Sequence, residues 1–217
     1  ETAIGRLNAF FDESFRPATD AMEANASRDV LVDAFGALKT LAVSLTKISD
    51  DIRWMASGPR NGLGELRLPE VQPGSSIMPG KINPVIIESV LMVCAHVIGS
   101  DLSMTLGGLG SRFELNMMMP LMAHHFLQCS ALLDASIRNL NRRCLEGLRE
   151  DPDGCTRGVH RNLSLVTALV PVIGYDAAAR ISKIAFETGR TIRDVAGEET
   201  ELEPGELDRL LDPRRMI

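Results

Sequence analysis

Aromatic side chains are scarce in this chain of 217 residues, which holds one Trp, one Tyr and seven Phe. A β-sandwich or barrel draws on aromatic and β-branched residues, so the scarcity argues against both. Cysteine is sparse as well. Cys94, Cys129, Cys144 and Cys155 are widely spaced with no C-x-x-C pair. That excludes the common zinc and dithiol motifs and fits a reducing compartment, each cysteine serving as a small buried hydrophobe. No run of about 18 uninterrupted apolar residues occurs, so no membrane span or membrane partner is expected. No charged-then-apolar leader opens the chain, and a cytoplasmic location is expected. Positive charge is not in excess either. The formal net charge is −6, which leaves no electrostatic footprint for a nucleic-acid partner.

What is abundant points one way. Ten Met, with Leu and Ala prominent, suit helix packing. The apolar share of 45% excludes disorder. An all-α protein is the expectation.

Periodicity locates the long helices. Leu31, Leu38, Leu45 and Ile52 repeat every seven residues, and Ala34, Leu41, Ile48 and Met55 form a second register three positions on. Two apolar seams predict a helix over 30–57 that packs on more than one neighbour. Ser57-Gly58-Pro59-Arg60 stops it. Residues 61–83, with Gly62, Gly64, Gly74, Gly80, Pro69, Pro73 and Pro79, read as an irregular loop. A second helix is expected from Pro84 to about Leu106, apolar nearly all round and therefore central in a bundle. Gly107-Gly108-Leu109-Gly110 interrupts it. A third helical stretch, about 115–148, contains Pro120, which predicts a kink near its start. Helices of this length form an elongated bundle, and three of them leave apolar seams uncovered. Other copies of the chain are expected to complete the core.

The charged, glycine-containing stretch 150–158 marks a boundary. The organisation read here is a bundle portion over 1–160 and a small helical C-terminal domain over 161–217. Short elements are expected at 163–170, 176–188 and 206–211, with Asp176 as an N-cap and Gly189 as a stop. Glu198, Glu199, Glu201 and Glu203 read as solvated surface. Met117-Met118-Met119 reads as core, and so does His96.

The chemistry concentrates in Gly74-Ser75-Ser76-Ile77-Met78-Pro79-Gly80-Lys81-Ile82-Asn83-Pro84. This is a glycine-flanked loop feeding the N-terminus of an apolar helix, with Asn83 placed to cap and Pro84 at N1. Free backbone N–H groups and the helix dipole suit an anion there, and Lys81 adds a full positive charge. Glu88 sets a carboxylate into otherwise apolar surroundings, where it needs a partner. Two serines above an anion site suggest nucleophile or base chemistry.

The pattern Gly-Ser-Ser-x-Met-Pro-x-Lys-x-Asn-Pro, with Glu five residues after the Asn, resembles the signature loop of the fumarase/aspartase superfamily. The resemblance continues in Ser57-Gly58-Pro59-Arg60 through Leu68-Pro69, in Phe113-Glu114-Leu115-Asn116 with Pro120, in Val166-Thr167-Ala168-Leu169 with Ile173-Gly174-Tyr175-Asp176, and in Leu211-Asp212-Pro213-Arg214. Pro79-Gly80-Lys81 and the Gly-Tyr-Asp are similar to class II fumarase, the carboxy-terminal half of which this chain resembles.

That resemblance implies an all-α bundle of the fumarase/aspartase type and a tricarboxylic acid cycle lyase that interconverts (S)-malate and fumarate without metal or cofactor. It implies Ser75 as the base, Ser76, Lys81, Ile82 (through its backbone) and Asn83 as binders of the substrate carboxylate, and Glu88 as partner of the family's catalytic His. The implied partners are a small dicarboxylate substrate and further copies of the chain, in a homotetramer whose active sites combine three subunits. The family's His lies in an upstream segment this chain lacks, and the chain is shorter than the family between Asn8 and Phe15. Alone it is expected to be inactive. His96, some 12 Å along the helix from Glu88, is too far to substitute. Aspartate ammonia-lyase is the alternative within the superfamily, and a non-catalytic helical oligomerisation module is the alternative outside it.

Overall fold

The computed structural model describes residues 2–58 and 60–216. In chain order its helices and strands are α1 (Ala3–Phe11), α2 (Ala21–Ala26), α3 (Asp29–Met55), β1 (Leu66–Arg67), α4 (Val85–Gly108), β2 (Ser111–Arg112), β3 (Leu115–Asn116), α5 (Met119–Arg143), β4 (Arg149–Glu150), α6 (Pro152–His160), α7 (Val170–Ile173), α8 (Tyr175–Thr188), α9 (Ile192–Glu199) and α10 (Pro204–Leu210), with short 3₁₀ segments between them. The fold is all-α, 68% helical with 4% strand. Two compact units divide it, Glu1–Asp51 with Pro69–Gly147 and Ile52–Leu68 with Leu148–Ile217.

The first unit is built on long helices. Along α4, Ile87, Val90, Cys94, Val97, Ser100, Met104 and Gly107 are buried at helical spacing. Along α5 the buried residues are Met122, Cys129, Leu133, Ser136 and Leu140. The two helices pack on each other, and Gly107 lets them close, because a Cβ there would lie 2.5 Å from Met122 Cγ. Helix α3 runs antiparallel to α4: Val32 sits against Gly108 and Lys39 pairs with Asp101 at 2.6 Å. On α3 the fully buried line is Phe35, Ala42 and Ser49. Residues three and four positions after a seam fall on its opposite flanks. Packing selects the four-residue flank, so Leu41 and Ile48 of the expected second register are exposed.

Pro120 does not kink a long helix. It stands in the first turn of α5, where a missing N–H costs nothing, and it starts the helix. A small hairpin of β2 and β3 turns at Phe113, whose φ of 52° is left-handed. Asn116, fully buried, ties this turn to both helices: its Nδ2 donates to the Gly107 carbonyl at 3.0 Å, and its Oδ1 accepts from Met118 N–H at 2.7 Å. Met117 is 70% exposed and Met119 is also exposed, which corrects the reading of the Met run as core. They belong to the turn and helix start, ahead of the periodic face.

Within this chain one flank of the apolar helices is uncovered. Met92, Ile98, Leu102 and Leu106 of α4 and Leu127 of α5 are exposed, Met92 to 68%. By length and composition α4 could cross a bilayer. It nevertheless carries Glu88 and Asp101, and its periodic face is packed against α5.

The second unit is built on short elements around a closed apolar cluster of Leu165, Leu169, Ile181, Ala185, Ile192, Val195, Ala196, Leu207 and Leu211. Strand β1 pairs antiparallel with β4, and Arg67 grips Asp151 through Nε and a terminal nitrogen at 3.0 and 2.7 Å. Caps define the ends: Asp151 to Gly154 N–H, Thr191 to Asp194 N–H and Asp212 to Arg214 N–H. Gly189, at φ 68°, ends α8 as expected. The N-cap of α8 is Gly174 at φ 80°, not Asp176, which stands in the first turn where its charge suits the dipole. Glu198, Glu199, Glu201 and Glu203 are exposed, and two of them are paired, Glu198 with Arg190 and Glu199 with Arg180.

Candidate active site

Three backbone and side-chain bonds shape the loop ahead of α4. Gly74 N–H donates to the Lys81 carbonyl at 2.9 Å, and Lys81 N–H to the Met78 carbonyl at 3.3 Å. Asn83 Nδ2 donates to the Gly74 carbonyl at 2.7 Å. Gly74 has no space for a side chain, since a Cβ would lie 2.3 Å from the Lys81 oxygen. Gly80 supplies a second requirement for glycine, a φ of 77°.

Inside this closed loop the Ser75 hydroxyl oxygen accepts two backbone hydrogen bonds, from Ile77 N–H at 3.2 Å and Met78 N–H at 3.1 Å. Two N–H donors converging on one oxygen stabilise negative charge on it. Such donors favour the ionised oxygen over the hydroxyl. Lys81 is exposed and enters no ion pair among the described residues. Ser76 and Ile82 are also exposed, and Asn83 is half-buried.

Asn83 does not cap α4, as the sequence suggested. The N-cap is Pro84, with no side-chain cap bond, because the Asn83 amide is drawn back to Gly74. The first turn of α4 therefore keeps uncapped N–H groups, the usual anchor for an anion.

Ser75, Ser76, Lys81, Ile82 and Asn83 thus share one loop, and Glu88 follows in the first turn of α4, half-buried and without a hydrogen-bond or ionic partner for its carboxylate among the described residues. No histidine reaches it. His96 is exposed rather than packed in the core, since it falls off the Ile87–Val90–Cys94–Val97 face. His124 is exposed, His125 is half-buried with Nδ1 lacking a hydrogen-bond partner, and His160 ends α6 in the second unit. Among the described residues no three His, Cys, Asp or Glu converge as metal ligands. Burial pushes the Cys94 and Cys144 thiols above their ordinary pKa, which leaves both poor nucleophiles.

A cleft of about 850 Å³ lies elsewhere, in the second unit between Leu163–Pro171 and α8. It is mostly apolar and holds none of the loop residues, so the chemistry of the loop outweighs its size. The residues that sequence reasoning left without a task are Gly74 and Asn116. Gly74 stood inside the recognised pattern, and its signal was a glycine ahead of the serine pair. Asn116 stood beside Ser111, Arg112 and Glu114 in the same connection, and nothing in the string marked it as the buried one.

Comparison with known proteins bears on the whole chain. A lyase family model matches residues 1–99, and a model of the fumarase C C-terminus matches residues 165–217. The class II fumarate hydratase of Ralstonia nicotianae is 44% identical over 217 residues, covering 100% of this chain and 47% of its own length. That of Xylella fastidiosa is 46% identical over 211 residues, 97% of this chain and 45% of its own. Among solved structures, the cobalt-bound fumarate lyase:delta crystallin of Brucella melitensis superposes with TM-score 0.91 at 43% identity, over 99% of this chain and 46% of that one. The class II fumarase of Schistosoma mansoni gives TM-score 0.86 at 34% identity, over 98% and 46%. The chain spans about half the length of the curated relatives it matches. It belongs to the fumarase/aspartase superfamily of lyases and corresponds to the carboxy-terminal half of a class II fumarase.

Proposed function

We propose that the chain supplies one wall of a fumarate hydratase site, catalysing reversible addition and elimination of water between (S)-malate and fumarate. The observation that carries this reading is the Ser75 oxygen held by the Ile77 and Met78 amides, on the loop that also carries the exposed Lys81. Dehydration of malate requires taking an unactivated proton from the carbon beside a carboxylate, which leaves that carboxylate doubly charged in its aci form. Ser75 as an oxyanion takes that proton. Ser76, Lys81, the Ile82 backbone, Asn83 and the uncapped start of α4 hold the carboxylate as its charge grows. The hydroxyl departs as water after protonation by a group outside this chain, the histidine that Glu88 supports in the family.

The complete site is composite, built from three subunits of a cytoplasmic homotetramer, and this chain alone is inactive. The uncovered apolar flank of α4 and α5 supports such assembly. No bound cofactor enters the reaction.

The test is to co-express this chain with the amino-terminal half of the Ralstonia nicotianae relative and follow fumarate by its ultraviolet absorbance. Fumarate from malate, none from aspartate, and loss of the signal in Ser75→Ala are expected. Fumarate from aspartate instead identifies an ammonia-lyase. Activity unchanged in Ser75→Ala removes the serine from its role and favours an oligomerisation module.

A further inference from the structure

We propose that Asn83 is a positioning residue for Ser75, acting through the carbonyl of Gly74. Gly74 is bonded twice at the base of the loop: its N–H to the Lys81 carbonyl at 2.9 Å and its carbonyl to Asn83 Nδ2 at 2.7 Å. The Gly74 carbonyl belongs to the peptide unit that leads into Ser75, so fixing it fixes the backbone from which the Ser75 side chain projects. From that fixed backbone the Ser75 oxygen reaches the Ile77 and Met78 amides. The steric evidence agrees, because at Gly74 even a methyl group would collide with the Lys81 oxygen at 2.3 Å. Clamp and oxygen cradle are therefore one assembly, with Asn83 as the bolt.

An asparagine amide has two hydrogens, and the clamp uses one. The second can meet a substrate carboxylate while the first still holds Gly74. One side chain then ties the bound carboxylate to the base, so that occupation of the site and placement of Ser75 are coupled. This deepens the proposed function and rests on Ser75 being its base, whereas the clamp itself stands without substrate.

Two substrate-free measurements on the full chain test it. The first is amide hydrogen exchange of Asn83→Ala and Asn83→Asp, the latter similar in shape but unable to donate at neutral pH. Both should speed exchange at Gly74, Ile77 and Met78 by about fivefold, the loss of one ordinary hydrogen bond. The α4 amides beyond Val90 should be unchanged, which shows that the helix remains folded. The second measurement places a thiol at the base position with Ser75→Cys and follows its alkylation against pH, located by peptide mass spectrometry. Two amide donors lower a thiol pKa. Adding Asn83→Ala should raise it again and slow alkylation at pH 7 by about threefold. Gly74→Ala, which breaks the clamp from its other side, should reproduce both effects, and it decides the matter if Asn83→Ala disturbs α4. A residue that only touches substrate would move neither readout. Unchanged exchange and an unchanged thiol pKa overturn the proposal, as does an Asn83→Asp chain that behaves like the parent. Failure of the hydratase reading shows itself separately, as absence of fumarate from malate with both substrate-free readouts intact.

Discussion

The two units bury apolar surface by different routes. In the first, α4 and α5 have no side-chain N-caps; they bury one face against each other and leave Met92, Leu102 and Leu127 in water. In the second, short elements carry caps at Asp151, Asn162, Thr191 and Asp212 around a core sealed within the unit. A helix of two turns cannot meet its nucleation cost alone, so each cap matters there. A helix of six or seven turns depends on its packed face instead. The second unit is locally specified, while the first is specified by what packs along it.

Core deletion should break this contrast most strongly. Leu169→Ala, at a fully buried site, should cost the second unit about 3 kcal/mol, read by denaturant titration of Trp54 fluorescence, since Trp54 lies in that unit. Exchange of the α4 amides should stay near its starting value. In the first unit, Asn116→Ala strips two hydrogen bonds from a buried bridge, one to the Gly107 carbonyl and one from the Met118 N–H. The expected loss is about 2 kcal/mol, seen as faster exchange at the facing ends of α4 and α5. A cap substitution should separate the units at smaller scale. Thr191→Ala should cost about 1 kcal/mol through lost capping of α9, whereas α4 offers no cap bond to remove.

Acid should divide them too. Asp151 beside Arg67, Glu198 beside Arg190, Asp208 beside Arg193 and Asp212 beside Arg214 are all held below the usual carboxylate range by those guanidinium hydrogen bonds. Asp194 is held down chiefly by Thr191. In the first unit only Asp29 is shifted that way among the described residues, chiefly by Ser27. A carboxylate whose folded pKa is depressed contributes stability in full above its ordinary value, about 4, and loses it as pH falls through the folded value. Below about pH 4 the second unit should weaken more than the first, and raised salt should shrink the difference. The smallest effect is expected from Leu102→Gln, within about 0.5 kcal/mol for the isolated chain. A larger loss there that grows with protein concentration would show that the exposed flank is already covered by another copy.

The sequence carried the long elements because seven-residue repeats and a buried stripe over many turns are hard to imitate. It misplaced the core seam of α3, since Leu31, Leu38, Leu45 and Ile52 repeat equally well whichever flank joins them. It misread Pro120, because a proline near a helix start and one inside a helix look alike until the hairpin ahead of α5 is known. Helices α1, α2, α6 and α9 escaped notice because each is short and announced only by its cap, at Thr2, Asp20, Asp151 and Thr191. The signature loop was recognisable as a string, and its residues do fall together. The string did not reveal that Asn83 turns back to Gly74 instead of capping the helix, a choice settled by the path of the loop.

The uncovered flank of α4 also governs how the chain behaves as it is made. Burying that flank against a partner and burying it in an aggregate are both encounters between two molecules, so dilution slows each alike and cannot by itself favour one. What tips the balance is specificity of fit and the temperature dependence of apolar association. Cooling weakens non-specific sticking, which relies on that association alone. Yield of soluble chain should therefore follow synthesis temperature and the timing of the partner's arrival more closely than the stability of either unit.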